Sequence, residues 1–416
     1  MQIKITHPLL LFLMLSFGAT GQKQMEYLTR GEYAVRNGNQ VFVSWRLLAT
    51  DNKDISFNLY QVTEGRKELM NNKPLSGGTN YIDKTADSNK SYTYIAAGVN
   101  GNKEMQDNGK GFTLMARSKP YLAIPLRYLE GYTPNDISVG DVDGDGTYEI
   151  ILHQVGISRD NSQGGFTSPP IFQCYKIDGT FLWQINLGKN IREGAHYTQF
   201  IVYDLDGDGK AEVAMKTADG TLDGLGKPVG DSGKDYRYQK NDKARDGRIL
   251  EGPEYFTVIS GQTGAALATV PYLPGRGNIA GWGGVGGNDH NDNYGNRVDR
   301  FLACVAYLDG IHPSVVMCRG YYGRSALAAW DWRNNQLTSR WLFDSKDSTN
   351  PYSGMGNHNI SVADVDGDGK DEIIYGSMCI DNDGKGLYTT GLRHGDAIHV
   401  TNMDPAHPRT GSFRGT

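Results

Sequence analysis

Asp141-Val142-Asp143-Gly144-Asp145-Gly146-Thr147-Tyr148-Glu149 is written three times in this chain. The other copies are Asp204-Leu205-Asp206-Gly207-Asp208-Gly209-Lys210-Ala211-Glu212 and Asp364-Val365-Asp366-Gly367-Asp368-Gly369-Lys370-Asp371-Glu372. Alternate aspartates crowd like charges into a few residues, and such a loop splays open unless a counter-charge holds it. A hard cation that takes about six to eight oxygen ligands meets that need. The paired glycines permit the tight turn that brings the carboxylates together. The closing glutamate comes earlier than in an EF-hand loop and supplies a ligand that reaches back. Apolar, strand-forming residues flank every copy, as in Phe200-Ile201-Val202-Tyr203 before the second and Ile373-Ile374-Tyr375 after the third. Each copy therefore reads as a calcium loop at the tip of a β-hairpin. One copy alone is open to a bland reading as a surface turn; three near-identical copies point to calcium.

The chain has 416 residues, long for one core and suggestive of two or more domains. With 54 Gly and 24 Tyr, and short Val/Ile/Tyr/Phe runs between turn signals, it reads as all-β. The formal charge is −5, and no basic block tracks a phosphate backbone, so no nucleic-acid partner is expected. Lys4, the apolar run Pro8–Phe17 and the small residues Gly18-Ala19-Thr20-Gly21 form a secretory leader, residues 1–22. The run is too short to span a bilayer, so no membrane residence is expected. The protein is expected to be secreted or periplasmic, where calcium is plentiful. A monomer is favoured, with the oligomeric state left open.

Residues 23–118 carry no such loop. Alternating runs such as Val41-Phe42-Val43-Ser44-Trp45 and Ser56-Phe57-Asn58-Leu59-Tyr60, separated by glycine turns, predict a small β-sandwich. Asp51 lies in one of its polar turns and is expected to matter less for stability than Asp206. From residue 119 the loop recurs at steps of 63 and 160 residues, the mark of a repeat architecture. The first step fits one propeller blade with a long loop, and the second is expected to hold two or three more. The segments 217–246 and 275–295 read as long insertions. Cys174, Cys304, Cys318 and Cys379 are expected to be buried thiols in strands, with a Cys304–Cys318 pair across the Asp309-Gly310 turn as the alternative.

His196-Tyr197-Thr198-Gln199-Phe200, Lys216-Thr217-Ala218-Asp219-Gly220, Gly252-Pro253-Glu254-Tyr255, Tyr294-Gly295-Asn296-Arg297, Arg319-Gly320-Tyr321-Tyr322, Ala329-Trp330-Asp331-Trp332, Asn357-His358-Asn359 and His394-Gly395-Asp396 stand in this order. In these motifs the chain resembles the rhamnogalacturonan lyases of polysaccharide lyase family eleven. The resemblance runs from about residue 26 to the end. It implies a fibronectin-like β-sandwich at 23–118 and a calcium-stabilised β-propeller at 119–416, eight-bladed in the family and incomplete here. It also implies β-elimination at the rhamnose–galacturonate bond of rhamnogalacturonan I, a pectic polysaccharide. The resemblance makes His358, His394 and Asp396 ligands of one calcium near the cleft, Asp136 a ligand of the first calcium, and Asn135 a substrate contact. The family carries Lys-Trp-Asp-Pro after the first calcium hairpin, and its aspartate touches substrate. Here the positions read His153-Gln154-Val155-Gly156, and that contact is not carried over to Val155.

Elimination from a uronide needs its carboxylate neutralised, a base for the C5 proton and departure of O4. The resemblance places the family's base in later blades, so the catalytic base is expected beyond residue 416, and a C-terminally truncated chain is expected to cleave poorly. The metal candidates are thus Asp141, Asp143, Asp145 and Glu149; Asp204, Asp206, Asp208 and Glu212; and Asp364, Asp366, Asp368 and Glu372. The shorter loop Asp381-Asn382-Asp383-Gly384 and the set Asp219, Thr221 and Asp223 are further candidates. His358 and His394 admit a second reading, in which they bond backbone to close a blade. His196 and Glu254 read as structural polar residues. The rival function is a calcium-stabilised propeller that binds pectic polysaccharide or a protein partner without catalysis.

Overall fold

The computed structural model describes residues 23–105, 109–283, 294–402 and 411–415. The leader expected at 1–22 lies outside the described residues, as does part of the 275–295 insertion. The chain begins with a two-sheet antiparallel sandwich. Strands β1 (Tyr33–Asn37), β2 (Gln40–Ser44) and β5 (Asn80–Asp83) make one sheet; β4 (Arg66–Leu69), β3 (Ser56–Thr63), β6 (Tyr92–Asn100) and β7 (Lys103–Glu104) make the other, with β8 (Phe112–Leu114) also on β6. Period-two alternation sends Val41, Val43, Phe57, Leu59 and Tyr94 into the core between them. Edge strand β4 reads Arg-Lys-Glu-Leu and is exposed throughout, which discourages pairing with another chain. Asp51 is no surface residue. Arg30 Nη1 and Nη2 donate to its two oxygens at 2.6 and 2.8 Å, and both side chains are buried.

Among the described residues four antiparallel blades follow, each in simple up-and-down order. The first has β9 (Thr133–Gly140), β10 (Glu149–Val155), β11 (Ile171–Tyr175) and β12 (Phe181–Asn186). The second has β13 (Phe200–Tyr203), β14 (Glu212–Ala218), β17 (Glu254–Ser260) and β18 (Ala266–Pro271). The third has β19 (Phe301–Ala306), β20 (Ser314–Arg319), β21 (Ala326–Arg333) and β22 (Gln336–Asp344). The fourth has β23 (Ser361–Ala363), β24 (Glu372–Tyr375), β25 (Met378–Ile380) and β26 (Gly386–Thr389). A hairpin of β27 (Ala397–Thr401) and β28 (Gly411–Gly415) comes last. First strands of successive sheets lie side by side, the arrangement of a β-propeller.

Second strands explain the unbroken apolar runs. On β14, Val213 and Met215 pack towards the first blade, whereas Ala214 packs towards the third. On β20, Val315 and Met317 face the second blade, and Val316 and Cys318 face the fourth. Each such strand is covered on both faces, so alternation in polarity is lost. On β9, by contrast, Ile137 and Val139 share a face and are 59% and 41% exposed.

Counted from loop to loop, as the first step is, the 160-residue step spans two blades, the lower of the expected numbers. Its length is absorbed by loops, above all by residues 219–253. From that loop, β15 (Thr221–Leu222) crosses to pair with β12 of the preceding blade, and β16 (Pro228–Val229) extends the same sheet. The insertion is a tie between neighbouring blades. The four cysteines are free thiols. Strand register places Cys304 opposite Val316 and Cys318 opposite Leu302, so the hairpin does not align them.

A buried charge network joins the second and third blades. Glu254 receives Lys216 Nζ at 2.9 Å, Arg276 Nη2 at 2.9 Å and Arg319 Nη1 at 2.8 Å; Arg319 Nη2 also reaches Asp299 Oδ1 at 3.2 Å. Burial alone would raise the Glu254 carboxyl, but the three cations hold it well below the usual range. Glu254→Ala leaves those cations uncompensated and is expected to cost about 3–5 kcal/mol. Denaturant unfolding followed by fluorescence checks this, since Trp282 lies over Arg319. A loss below about 1 kcal/mol would show that the network does not hold the blades together.

Candidate active site and cation loops

The blade topology separates two ends of the propeller. Chain entering the innermost strands gathers at one end, and the hairpin tips that leave them gather at the other. The three Asp/Gly loops are such tips, joining β9 to β10, β13 to β14 and β23 to β24. In each, the first two aspartates and the glutamate come together: Asp141, Asp143 and Glu149; Asp204, Asp206 and Glu212; Asp364, Asp366 and Glu372. Their ligand oxygens lie within 4.8 Å of one another. The third aspartate stands outside each group. Asp145 accepts from Thr147 N at 2.9 Å, and Asp208 and Asp368 accept from the amides of Lys210 and Lys370 at 2.8 Å. These are local turns closed by the aspartate itself.

The grouped carboxylates fit a hard cation. Glu372 Oε1 is buried without a hydrogen-bond partner. Burial, reinforced by the neighbouring aspartates, pushes Glu149 up to about 7, Glu212 up to about 9 and Glu372 up to about 7. An all-oxygen set of like charges in a dry turn is what calcium neutralises. In the first loop Lys176 already reaches Asp143 and stands 3.9 Å from Glu149. The corresponding tip of the third blade has no such loop. There Asp309 meets His312 Nδ1 at 2.9 Å and Arg340 Nη2 at 3.6 Å, so an arginine supplies the counter-charge.

Residues 23–29 lie across this end as a strap. Lys23 Nζ pairs with Asp371 at 2.7 Å, Gln24 N donates to Ile311 O at 2.7 Å, and Thr29 N donates to Gly146 O at 3.0 Å. Glu26 belongs to the strap, and burial with the charges of Asp204 and Asp141 pushes it up to about 7. Sequence reasoning missed Glu26, because nothing local marks it.

The opposite end carries a different group. His358 precedes β23, His394 and Asp396 precede β27, and the three side chains converge within 4.8 Å. His358 Nε2 and His394 Nε2 lie 3.8 and 3.9 Å from Asp396 Oδ1. His196, just before β13, joins them with its ring 5.7 Å from that of His358. Tyr321 and Tyr322 follow β20 and complete the rim; Tyr322 Oη is 3.2 Å from His358 Nε2. Gly320, at φ +75°, turns the chain so that both tyrosines face inward; its φ lies in the left-handed region that a side chain would strain. Beneath them, Arg300 donates to Tyr321 Oη at 2.9 Å, and the Arg297 guanidinium stacks 4.1 Å over the Tyr322 ring. Burial, with the charge of Arg300, pushes His196 down to about 4, and His358 moves in the same direction. Both imidazoles are therefore neutral at neutral pH. The sequence had marked His196 only as structural, and the Arg319-Gly320-Tyr321-Tyr322 motif had no role.

A cleft of about 650 Å³ is lined in part by Gly194, Ala195 and Thr198, which flank His196 in the chain. Asn135, Asp136, His153, Val155 and Glu193 line it as well. His153 Nε2 meets Glu193 at 2.9 Å, which ties β10 to the loop that leads into His196. Asp136 is on this wall, and no grouped metal ligands among the described residues include it. Asp381 and Asp383 are not grouped either: Gly384 N donates to Asp381 O at 2.8 Å in a plain hairpin turn, and Asp383 pairs with Lys385. Asp219 instead accepts from Tyr236 and Tyr255, each at 3.0 Å, and Asp223 accepts from the amides of Leu225 and Lys227 at 2.9 and 2.8 Å.

Known proteins match both parts of the chain. Residues 127–415 match the model of the rhamnogalacturonan lyase family 11 C-terminal domain, and residues 23–111 match the rhamnogalacturonan I lyase β-sheet domain. The rhamnogalacturonan endolyase YesW of Bacillus subtilis (strain 168) is 51% identical over 93% of this chain and 60% of its own length. The exolyase YesX of the same organism is 52% identical over 92% of this chain and 61% of its own. The chain thus spans about three fifths of those relatives. A crystal structure of YesX superposes with a TM-score of 0.84 over 95% of this chain and 63% of that one. The Bacillus licheniformis rhamnogalacturonan lyase PL11 gives the same TM-score at 52% identity, over 95% and 66%. The domain match covers most of the chain, and on that ground the chain belongs to rhamnogalacturonan lyase family 11.

Proposed function

We propose that the protein cleaves the rhamnose–galacturonate bond of rhamnogalacturonan I by β-elimination, with calcium held in the three hairpin loops. The observation that carries this reading is the rim formed by His196, His358, His394, Tyr321 and Tyr322 over two buried arginines, with the cleft at Asn135 lined by the residues on either side of His196 in the chain. Elimination from a uronide begins with binding of an anion. Burial first, and then the charge of Arg300, keeps His196 and His358 neutral, and the same arginine favours a carboxylate at the rim. A neutral imidazole can accept a proton, and the acidified C5 proton of a bound uronide is the one to be moved. Asn135 and the cleft wall orient the saccharide. Tyrosine faces at the rim suit the apolar face of a sugar ring. Calcium, when bound in the loops, screens the grouped carboxylates at the far end and fixes the blades. Export through the leader is part of this reading, because extracellular calcium is abundant enough for weak sites.

Loop occupancy has a thermodynamic signature. At free calcium about tenfold above Kd, three independent loops stabilise by roughly 4 kcal/mol. The sign with pH follows from the raised glutamates. In chelator, folded Glu149, Glu212 and Glu372 keep protons that the unfolded chain has released above its ordinary carboxyl value of about 4.3. Stability of the calcium-free protein is therefore expected to fall as pH rises from about 5 to about 8. Calcium keeps these carboxylates ionised, so the stabilisation it gives grows over the same window. Melting curves with and without chelator at several pH values check this; a gap that stays constant with pH would refute it.

Activity is tested by giving the protein rhamnogalacturonan I and following the ultraviolet absorbance of the unsaturated uronide. A weak rise in absorbance is expected, and His358→Ala is expected to slow it about 10–100-fold further while the calcium-dependent melt is kept. Polysaccharide binding with no new absorbance would favour the non-catalytic propeller instead.

A further inference from the structure

The hairpin loops and the axial group offer different donors. Each loop groups three carboxylates, whereas His358, His394 and Asp396 present two imidazoles and one carboxylate. Calcium takes oxygen donors, and imidazole suits first-row transition ions. The axial residues therefore do not fit the calcium that the family resemblance implies for them.

The surroundings of the histidines point the same way. His394 Nδ1 lies 2.8 Å from the carbonyl oxygen of Gly356 and donates to it. That bond fixes the tautomer and leaves the lone pair on Nε2, on the side of Asp396. A hydrogen bond from the far ring nitrogen to a carbonyl is the usual support of a ligating histidine. His358 is held by Tyr322 Oη at 3.2 Å and lies near Tyr321 Oη at 3.5 Å. The three ligand atoms lie within 4.8 Å of one another, with His358 and His394 Nε2 at 3.8 and 3.9 Å from Asp396 Oδ1, so a small inward movement of the side chains lets one ion take all three. Asp396 is 84% exposed on its side chain, which leaves the remaining coordination positions open to solvent. Closed structural zinc sites lack such open positions; catalytic ones keep them.

We propose that His358, His394 and Asp396 bind a transition ion of the zinc, cobalt or nickel kind in preference to calcium. The chain then carries two chemically distinct classes of cation site, one at each end of the propeller. Binding is measured without substrate, so its failure leaves the lyase reading untouched.

Cobalt is the probe. Protein stripped with chelator is given calcium and then titrated with Co²⁺. A visible absorption band is expected to saturate at a single ion per chain and to survive about a hundredfold excess of calcium. His394→Ala and, separately, His358→Gln are expected to abolish the band. Both variants are expected to keep the calcium-dependent rise in melting temperature, which shows that fold and hairpin loops are intact. Absence of a band, its displacement by calcium, or its persistence in both variants overturns the proposal.

Discussion

Repulsion between carboxylates at the hairpin tips is the constraint to which the rest of the propeller answers. Three blades place two aspartates and a glutamate within contact of one another, in turns that burial has partly dried. Burial and like charge push the glutamate of each group towards its protonated form. Solutions of several kinds coexist in the one molecule: a lysine leans into the first loop, protons are favoured on the glutamates, and calcium fits all three. In the third blade, histidine and arginine stand where the ion would be. The same electrostatic need is met by whichever cation the local sequence affords.

The interior follows a similar logic at larger scale. Glu254 would be expensive to bury alone, and so would Lys216, Arg276 and Arg319. Together they form a joint that only one relative placement of the second and third blades satisfies. Arg319 begins the Gly320-Tyr321-Tyr322 turn, and Asp299 precedes Arg300 under the rim. The charged joint therefore sets the position of the aromatic rim above it. Placement of the imidazoles depends on a network that never touches them.

The readable parts of this chain were those whose chemistry is local. Alternate aspartates with glycines announced the loops, and period-two runs announced the sandwich. The convergence of His358, His394 and Asp396 needed the family resemblance, because 36 residues separate the histidines and no spacing rule joins them. His196 looked structural since its neighbours alternate like a strand, whereas its ring meets that of His358, which belongs two blades further on. Asp51 looked like a turn residue because its partner Arg30 is distant in sequence. The long interval before the third loop spans two blades rather than three for a simple reason: inserted chain such as β15 and β16 adds length without adding a blade. Glu254 gave a faint signal, a charge at the start of an apolar strand, but its three partners come from separate segments.

The strap at residues 23–29 has a bearing on how the molecule is assembled. Lys23 is 348 residues from its partner Asp371, and Gln24 binds the third blade at Ile311. During synthesis the first of these residues emerges well before the last, and domains tend to fold from the N-terminus onward. The sandwich can therefore form early, with its leading segment still undocked. The strap closes only when the fourth blade exists to receive it, so its docking reports completion of the blades that came after it. Protection of these few amides from exchange would then be a late event in folding, although they lie near the start of the chain.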